Sequence, residues 1–148
     1  MARVVDVQGD EKDPERLGLL VLCPVPESVP RARRWFRKFT AHEELDCSID
    51  DCVLLVSELV TNAIRYGSAE GIWRVRVEWY RVGQSLRVHV HNPGLPAGIR
   101  LRSPAADEAH GRGLLIVHTV CDEWWSGPSP YGGTVVVFVM YKAFGSSR

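Results

Sequence analysis

The chain has 148 residues, equal numbers of basic and acidic side chains (18 each) and a hydrophobic fraction of 45%. This length and composition are typical of one soluble domain with its own core, and the balanced charge argues against a general nucleic-acid or membrane-surface role. The four cysteines show no metal-ligand spacing, so we expect reduced, mostly buried thiols in a cytoplasmic protein rather than zinc or disulfides. No stretch has the pattern of a signal peptide or of a membrane span.

The N-terminal part of the chain predicts an arm, a strand and a helix. Residues 1–16 are charged and weakly patterned, so we expect a flexible arm ahead of a domain over residues 17–142. The apolar run from Leu17 to Cys23 predicts a strand. A helix is expected from Ser28 to about Glu44. Residues 143–148 are expected to be a C-terminal tail.

The helix that begins at Ser28 is amphipathic and basic. Its aromatic and cationic side chains fall on opposite sides: Trp35, Phe36 and Phe39 on one, and Arg33, Arg34, Arg37 and Lys38 on the other. We expect the aromatic side to pack on a sheet and the cationic side to face solvent. A partner-binding or homodimer face is the alternative interpretation.

The stretch from Ser48 to Gly67 predicts the central helix of the domain. Ser48 suits the N-cap, Asp51 lies in the first turn where the helix dipole favours a carboxylate, and Gly67 suits the position after the last turn. One face of this helix is apolar and is expected in the core; its residues are Cys52, Leu55, Val56, Leu59, Val60 and Ala63.

Two polar residues of this helix lie at the edge of its apolar face. Glu58 and Asn62 are four residues apart and therefore share one flank. They are either hydrogen-bonded boundary residues of an amphipathic helix or the polar wall of a pocket. In the second case Glu58 suits a general base, and Asn62 suits an oxygen ligand of Mg²⁺.

A β-hairpin is expected after the central helix. Apolar residues alternate with Arg74, Arg76 and Glu78 in a half-exposed strand, and Gly83-Gln84 predicts the tight turn to a second strand. His89 and His91 share one face of that second strand. Two histidines can bind a metal, but no third ligand is evident, so we expect them to face solvent.

The remaining chain predicts a lid, a helix and two strands. Residues 93–110 show no periodicity, which is uncommon in a compact domain unless the segment is a functional lid or disordered. Gly111-Arg112-Gly113 then opens a helix that runs to about Glu123, and its free backbone N–H groups suit a phosphate. Trp124–Ser126 and Thr134–Tyr141 predict a closing hairpin, whose second strand is apolar enough to be central in the sheet.

Four short motifs follow one another along the chain. They are Glu58-Leu59-Val60-Thr61-Asn62-Ala63, Asn92-Pro93-Gly94-Leu95-Pro96, Gly111-Arg112-Gly113-Leu114 and Gly133-Thr134. In this order they resemble the ATP-binding domain shared by histidine kinases and DNA gyrase, the GHKL or Bergerat-fold superfamily. The resemblance spans about residues 30–141 and is closest to the bacterial anti-sigma-factor serine/threonine kinases.

The resemblance implies an α/β (α+β) two-layer sandwich, with a mixed, mostly antiparallel sheet and about three helices on one face. It implies that ATP and Mg²⁺ bind under the lid, with Glu58 as the catalytic base and Asn62 as the metal ligand. The nucleotide would meet Asn92, Gly94, Gly111, Arg112, Gly113, Leu114 and Thr134. Proteins of this kind phosphorylate a small antagonist protein and bind a sigma factor when the antagonist is absent.

One residue departs from the family pattern. Asn92 occupies the position of an aspartate that accepts a hydrogen bond from the adenine amino group. Its amide can still accept one hydrogen bond, but the charge-assisted contact is lost. Two functions therefore remain open: an active kinase, favoured by Glu58 and Asn62, and a non-catalytic binding module that regulates by protein association, favoured by Asn92.

Overall fold

The computed structural model describes residues 13–66, 72–93 and 116–145, and within them two long helices and five strands are present. Residues 116–120 are also helical. In chain order, the elements are β1 (Glu15–Leu22), α1 (Ser28–Thr40), α2 (Ile49–Tyr66), β2 (Val75–Val82), β3 (Ser85–Asn92), β4 (Glu123–Pro128) and β5 (Thr134–Met140).

The five strands form one sheet in the order β1-β2-β3-β5-β4. We predicted a mixed, mostly antiparallel sheet; all four pairings within the described residues are antiparallel. Both long helices pack on one face of the sheet, α1 against β1 and α2 against β2 and β3. The predicted two-layer α+β architecture is therefore confirmed. We call the sheet face under the helices the inner face, and the opposite one the outer face.

Helix α2 forms as its sequence pattern predicts. The Ser48 hydroxyl oxygen accepts a hydrogen bond from the backbone N–H of Asp51 at 3.1 Å, which caps the helix N-terminus. The six apolar residues predicted to face the core are all buried. This buried face fixes the rotation of α2 about its own axis, and so it decides where the polar flank of the helix lies.

Helix α1 joins the sheet and α2 through aromatic and polar contacts. Phe36 is fully buried and meets the Trp79 ring edge-on, with 5.4 Å between ring centroids. On the cationic side, Arg33 donates a hydrogen bond to the Ser57 hydroxyl at 3.0 Å, and Arg37 pairs with Asp50 at 2.8 Å. Part of the predicted solvent-facing cationic side therefore contacts α2 instead.

The packed unit extends beyond residues 17–142 at both ends. Glu15 and Arg16 belong to β1, and Ala143 and Phe144 are buried in the core. The helix predicted to run to about Glu123 stops earlier, because Cys121 and Asp122 form a bend and β4 begins at Glu123. Across the described ranges, no helix is long and apolar enough to cross a membrane.

Candidate functional site

The polar flank of α2 carries Glu58 and Asn62, one helical turn apart. Both side chains are half-buried, while the neighbouring Leu59 and Ala63 are buried against the sheet. The two polar groups therefore sit at the rim of the core, where a carboxylate and an amide remain accessible to a ligand. The pair therefore lies at the edge of the apolar face of α2, as its helical spacing predicts.

Asn92 and Thr134 meet on the inner face of the sheet. They are Cα partners at the end of β3 and the start of β5, and each is only 2% exposed. Because α2 packs on β3, this pair lies on the same side of the sheet as Glu58 and Asn62. The structure therefore brings residues of the first, second and fourth motifs to one face.

Gly133, in the turn between β4 and β5, packs closely against the backbone of Asn92. Gly133 has φ 81°, in the left-handed region that favours glycine. A Cβ atom at this position would overlap the carbonyl oxygen of Asn92 and the Cα of Pro93. Gly133 is therefore required on two counts, and it fixes the position of Thr134 relative to the end of β3.

A cavity of about 230 Å³ opens beside Asn92 at this end of the sheet. Its wall combines aromatic, cationic and amide groups and consists of Trp73, Arg74, Arg76, His91, Asn92, Pro93, Tyr131 and Gly132. Arg76, His91 and Tyr131 of this wall contact Glu78 on the outer face, so the cavity opens on that side of the sheet and not toward Glu58 and Asn62. The remaining predicted site residues, Gly94, Gly111, Arg112, Gly113 and Leu114, lie outside the described residues.

A polar network on the outer face was missed by the sequence analysis. Glu78 was expected on the exposed side of a half-exposed strand, yet it is 2% exposed. Its Oε2 accepts hydrogen bonds from Arg76 at 2.9 Å, Arg16 at 3.2 Å and Tyr131 at 3.2 Å. Its Oε1 lies 3.0 Å from Nε2 of His91. A buried carboxylate that accepts this many hydrogen bonds is held in one position.

The predicted solvent exposure of the two histidines was also wrong. His91 is 4% exposed and His89 is half-buried between Tyr80 and His91, with ring centroids 4.9 and 6.0 Å away. The two-residue turn at Gly83-Gln84 does contain the signal for the third ligand that the sequence analysis missed beside these histidines. It pairs Val82 with Ser85, and counting back along both strands places Glu78 opposite His89.

Burial and the neighbouring charges set the protonation of this network. Burial raises the pKa of Glu78, but hydrogen bonds from Arg76 and His91 outweigh burial and leave that pKa below its ordinary value. Burial lowers the pKa of His89 to about 4, and the positive charge of Arg87 acts in the same direction. At neutral pH, Glu78 is therefore ionised and the imidazole of His89 is neutral.

A family profile described as histidine kinase-like ATPase domain matches residues 24–140. The matched range begins just after β1 and runs to the last residue of β5, and it contains every residue of the four motifs. No curated protein matches the chain.

Proposed function

Because the chain belongs to the histidine kinase-like ATPase domain family, we propose that it is an ATP-dependent protein serine/threonine kinase of the anti-sigma-factor type. Domains of this family bind ATP, usually with Mg²⁺. The proposed substrate is a serine or threonine hydroxyl of a small antagonist protein. A sigma factor is the proposed alternative partner, so that phosphorylation of the antagonist would decide which of the two the kinase binds.

The arrangement of Glu58, Asn62, Asn92 and Thr134 supports this proposal. The helix α2 offers a carboxylate and an amide from its accessible flank, and the inner face of the sheet offers a second amide and a hydroxyl. The amide oxygen of Asn62 suits Mg²⁺, a hard cation that prefers oxygen ligands. Gly133 packs closely on the backbone of Asn92 and Pro93, and this contact fixes the relative position of Asn92 and Thr134.

The proposed roles are divided between helix α2 and the inner face of the sheet. ATP with Mg²⁺ supplies the phosphoryl group and offsets its negative charge. Glu58 accepts the proton from the attacking hydroxyl, a role that suits a half-buried carboxylate at the rim of the core. Asn62 holds the metal, Asn92 accepts a hydrogen bond from the adenine amino group, and Thr134 lies beside Asn92 to complete the contact surface.

A second candidate function is a regulatory module that keeps the fold but does not transfer phosphate. Asn92 favours it, because a neutral amide binds an amino group more weakly than a carboxylate does. Such a module would act by association with a sigma factor, an antagonist protein or a second copy of the chain. The exposed Arg34 and Lys38 of α1 are available to an acidic partner in either case.

Titration of the full chain with ATP and Mg²⁺ by isothermal calorimetry tests whether the protein binds ATP. Saturable binding, and a raised melting temperature in millimolar ATP, are expected because a ligand that binds only the native state stabilises it. A phosphotransfer assay with radiolabelled ATP and a small antagonist protein encoded nearby tests whether the protein transfers the phosphoryl group. Binding without transfer supports the regulatory module, and absence of any binding heat rejects both the ATP site and the kinase.

A further inference from the structure

Three metal-ligating side chains meet on the outer face of the sheet. Glu78 lies directly opposite His89 in the β2–β3 register, and His91 follows on the same face of β3. Ligand atoms of the three residues lie within 4.8 Å of one another. We propose that Glu78, His89 and His91 bind one nitrogen-preferring divalent ion of the Zn²⁺ type, at a site separate from the nucleotide site on the inner face.

His89 is the residue that most needs a ligand. Its Nε2 is buried and has no hydrogen-bond partner among the residues that the structure describes. An unsatisfied buried polar atom costs about 1–3 kcal/mol, so buried histidines normally have a partner for each ring nitrogen. The ring is held in place by Tyr80 on one side and His91 on the other. A metal ion bound at Nε2 would satisfy this atom.

His91 is already oriented as a metal ligand. Its Nδ1 lies 2.7 Å from the hydroxyl oxygen of Ser129, and its Nε2 faces Oε1 of Glu78. Histidines that bind metals usually donate the proton of the second ring nitrogen to an oxygen, which fixes the tautomer and the ring orientation. Without metal, Nε2–H donates to Glu78. With metal, the ring proton resides on Nδ1 and is donated to Ser129, which frees the lone pair of Nε2.

The two oxygens of Glu78 have different surroundings. Oε2 is occupied by Arg16, Arg76 and Tyr131, which hold the carboxylate in one orientation. Oε1 faces the histidines instead. The ion would bind Oε1, while the donors on Oε2 act as the outer support that such ligands commonly have.

The surrounding charge selects the class of ion. Arg16 and Arg76 bind the same carboxylate, and the positive charge of Arg87 acts on His89. Mg²⁺ and Ca²⁺ depend on negative charge and on many oxygen ligands, so the arginines disfavour them here. Zn²⁺, Ni²⁺ and Cu²⁺ bind imidazole nitrogen strongly. Two imidazoles and one carboxylate then leave a fourth position for water, as in sites with three protein ligands.

The test is a titration of the metal-free full chain with ZnCl₂ in the absence of nucleotide, after alkylation of its accessible thiols. One saturable Zn²⁺ per chain is expected, with no comparable binding of MgCl₂. His89→Phe keeps an aromatic ring beside Tyr80 and should abolish the saturable phase. His118→Phe, at an exposed position, is the matched control and should bind as the parent does. Circular dichroism of each variant establishes that it is folded.

The Ser129→Ala variant tests the site while keeping all three proposed metal ligands. Loss of its contact with His91 should weaken Zn²⁺ binding by about 10- to 100-fold. The proposal is overturned if the parent shows no saturable binding at millimolar Zn²⁺, or if His89→Phe and Ser129→Ala both bind as tightly as the parent. Because no nucleotide is present, these outcomes are independent of whether the inner face binds ATP.

Discussion

Asn92 and Thr134 lie directly opposite each other in the register of β3 and β5, and both side chains are buried. An amide and a hydroxyl thus occupy adjacent positions at the end of the inner face, beside the helix that carries Glu58 and Asn62. A change at position 92 therefore acts in a confined polar environment rather than in solvent. This confinement determines what the replacement of Asn92 by the aspartate typical of the family should do.

Asn92→Asp should tighten ATP binding by about 1–2 kcal/mol, because an ionised acceptor strengthens the hydrogen bond from the adenine amino group. The same buried carboxylate should lower the melting temperature without ligand, because an ionised group is costly to bury. The shift in melting temperature caused by ATP should therefore be larger than in the parent. Calorimetric titration of both proteins with ATP and GTP measures the effect, and four equal affinities would show that position 92 does not contact the base.

Glu58→Ala should leave ATP binding intact and slow phosphoryl transfer by roughly 10²- to 10⁴-fold, since it removes only the proposed general base. Asn62→Ala should instead weaken binding that depends on Mg²⁺. Thr61→Ala, a half-buried neighbour on the same helix, is the control. Calorimetry and a single-turnover transfer assay separate the two effects. Parent-like behaviour of both variants would make Glu58 and Asn62 ordinary boundary residues.

Gly133→Ala should destabilise the protein and weaken ATP binding together, because the added Cβ strains a left-handed residue and overlaps the backbone at Asn92 and Pro93. Gly83 also has a positive φ, 63°, but an added methyl group there would have open space within 4 Å. Gly83→Ala should therefore cost only the conformational strain, about 1 kcal/mol, and leave ATP affinity unchanged. Urea unfolding and ATP titration of both variants measure the difference, and equal losses would contradict it.

Glu78→Gln should destabilise the fold by about 1–3 kcal/mol, since a buried amide replaces a carboxylate that accepts charge-assisted hydrogen bonds from Arg76 and from the partly exposed Arg16. Asp50→Asn breaks the exposed pair with Arg37 and should cost less than about 1 kcal/mol. Urea midpoints of the two variants at neutral pH give the comparison. A loss for Glu78→Gln as small as that for Asp50→Asn would mean that the outer network adds little stability.

Cys47 should react with iodoacetamide at a lower pH in the parent protein than in the Cys52→Ala variant. The two sulfurs lie 3.7 Å apart, and the hydrogen bond from Cys52 lowers the pKa of the Cys47 thiol, although burial opposes this. Loss of Cys52 raises that pKa, so a higher pH is needed for the same thiolate fraction. Mass spectrometry of alkylated peptides, with the exposed Cys23 as internal reference, gives both rates. A pH profile unchanged by Cys52→Ala would refute the assignment.

The sequence by itself determined the elements whose signal is local. The apolar face of α2, its Ser48 cap and the Gly83-Gln84 turn each depend on residues close together in the chain, and all three are confirmed. The four motifs likewise indicated the family. That Asn92 of the second motif lies opposite Thr134 of the fourth then followed from the fold, because β3 and β5 are distant in the chain and pair only in the folded sheet.

Only the tertiary structure determined that Glu78 and His91 on the outer face are buried. Period-two alternation tells which strand residues share a face, but not whether that face is exposed. The burial of Glu78 depends on Arg16 from β1 and on Tyr131 from the β4–β5 turn, which lie 62 and 53 positions away in the chain. His91 likewise gains Ser129 as a partner only when that turn folds over it. Alternation along one strand carries no information about such distant donors, so residues predicted to face solvent became a buried network.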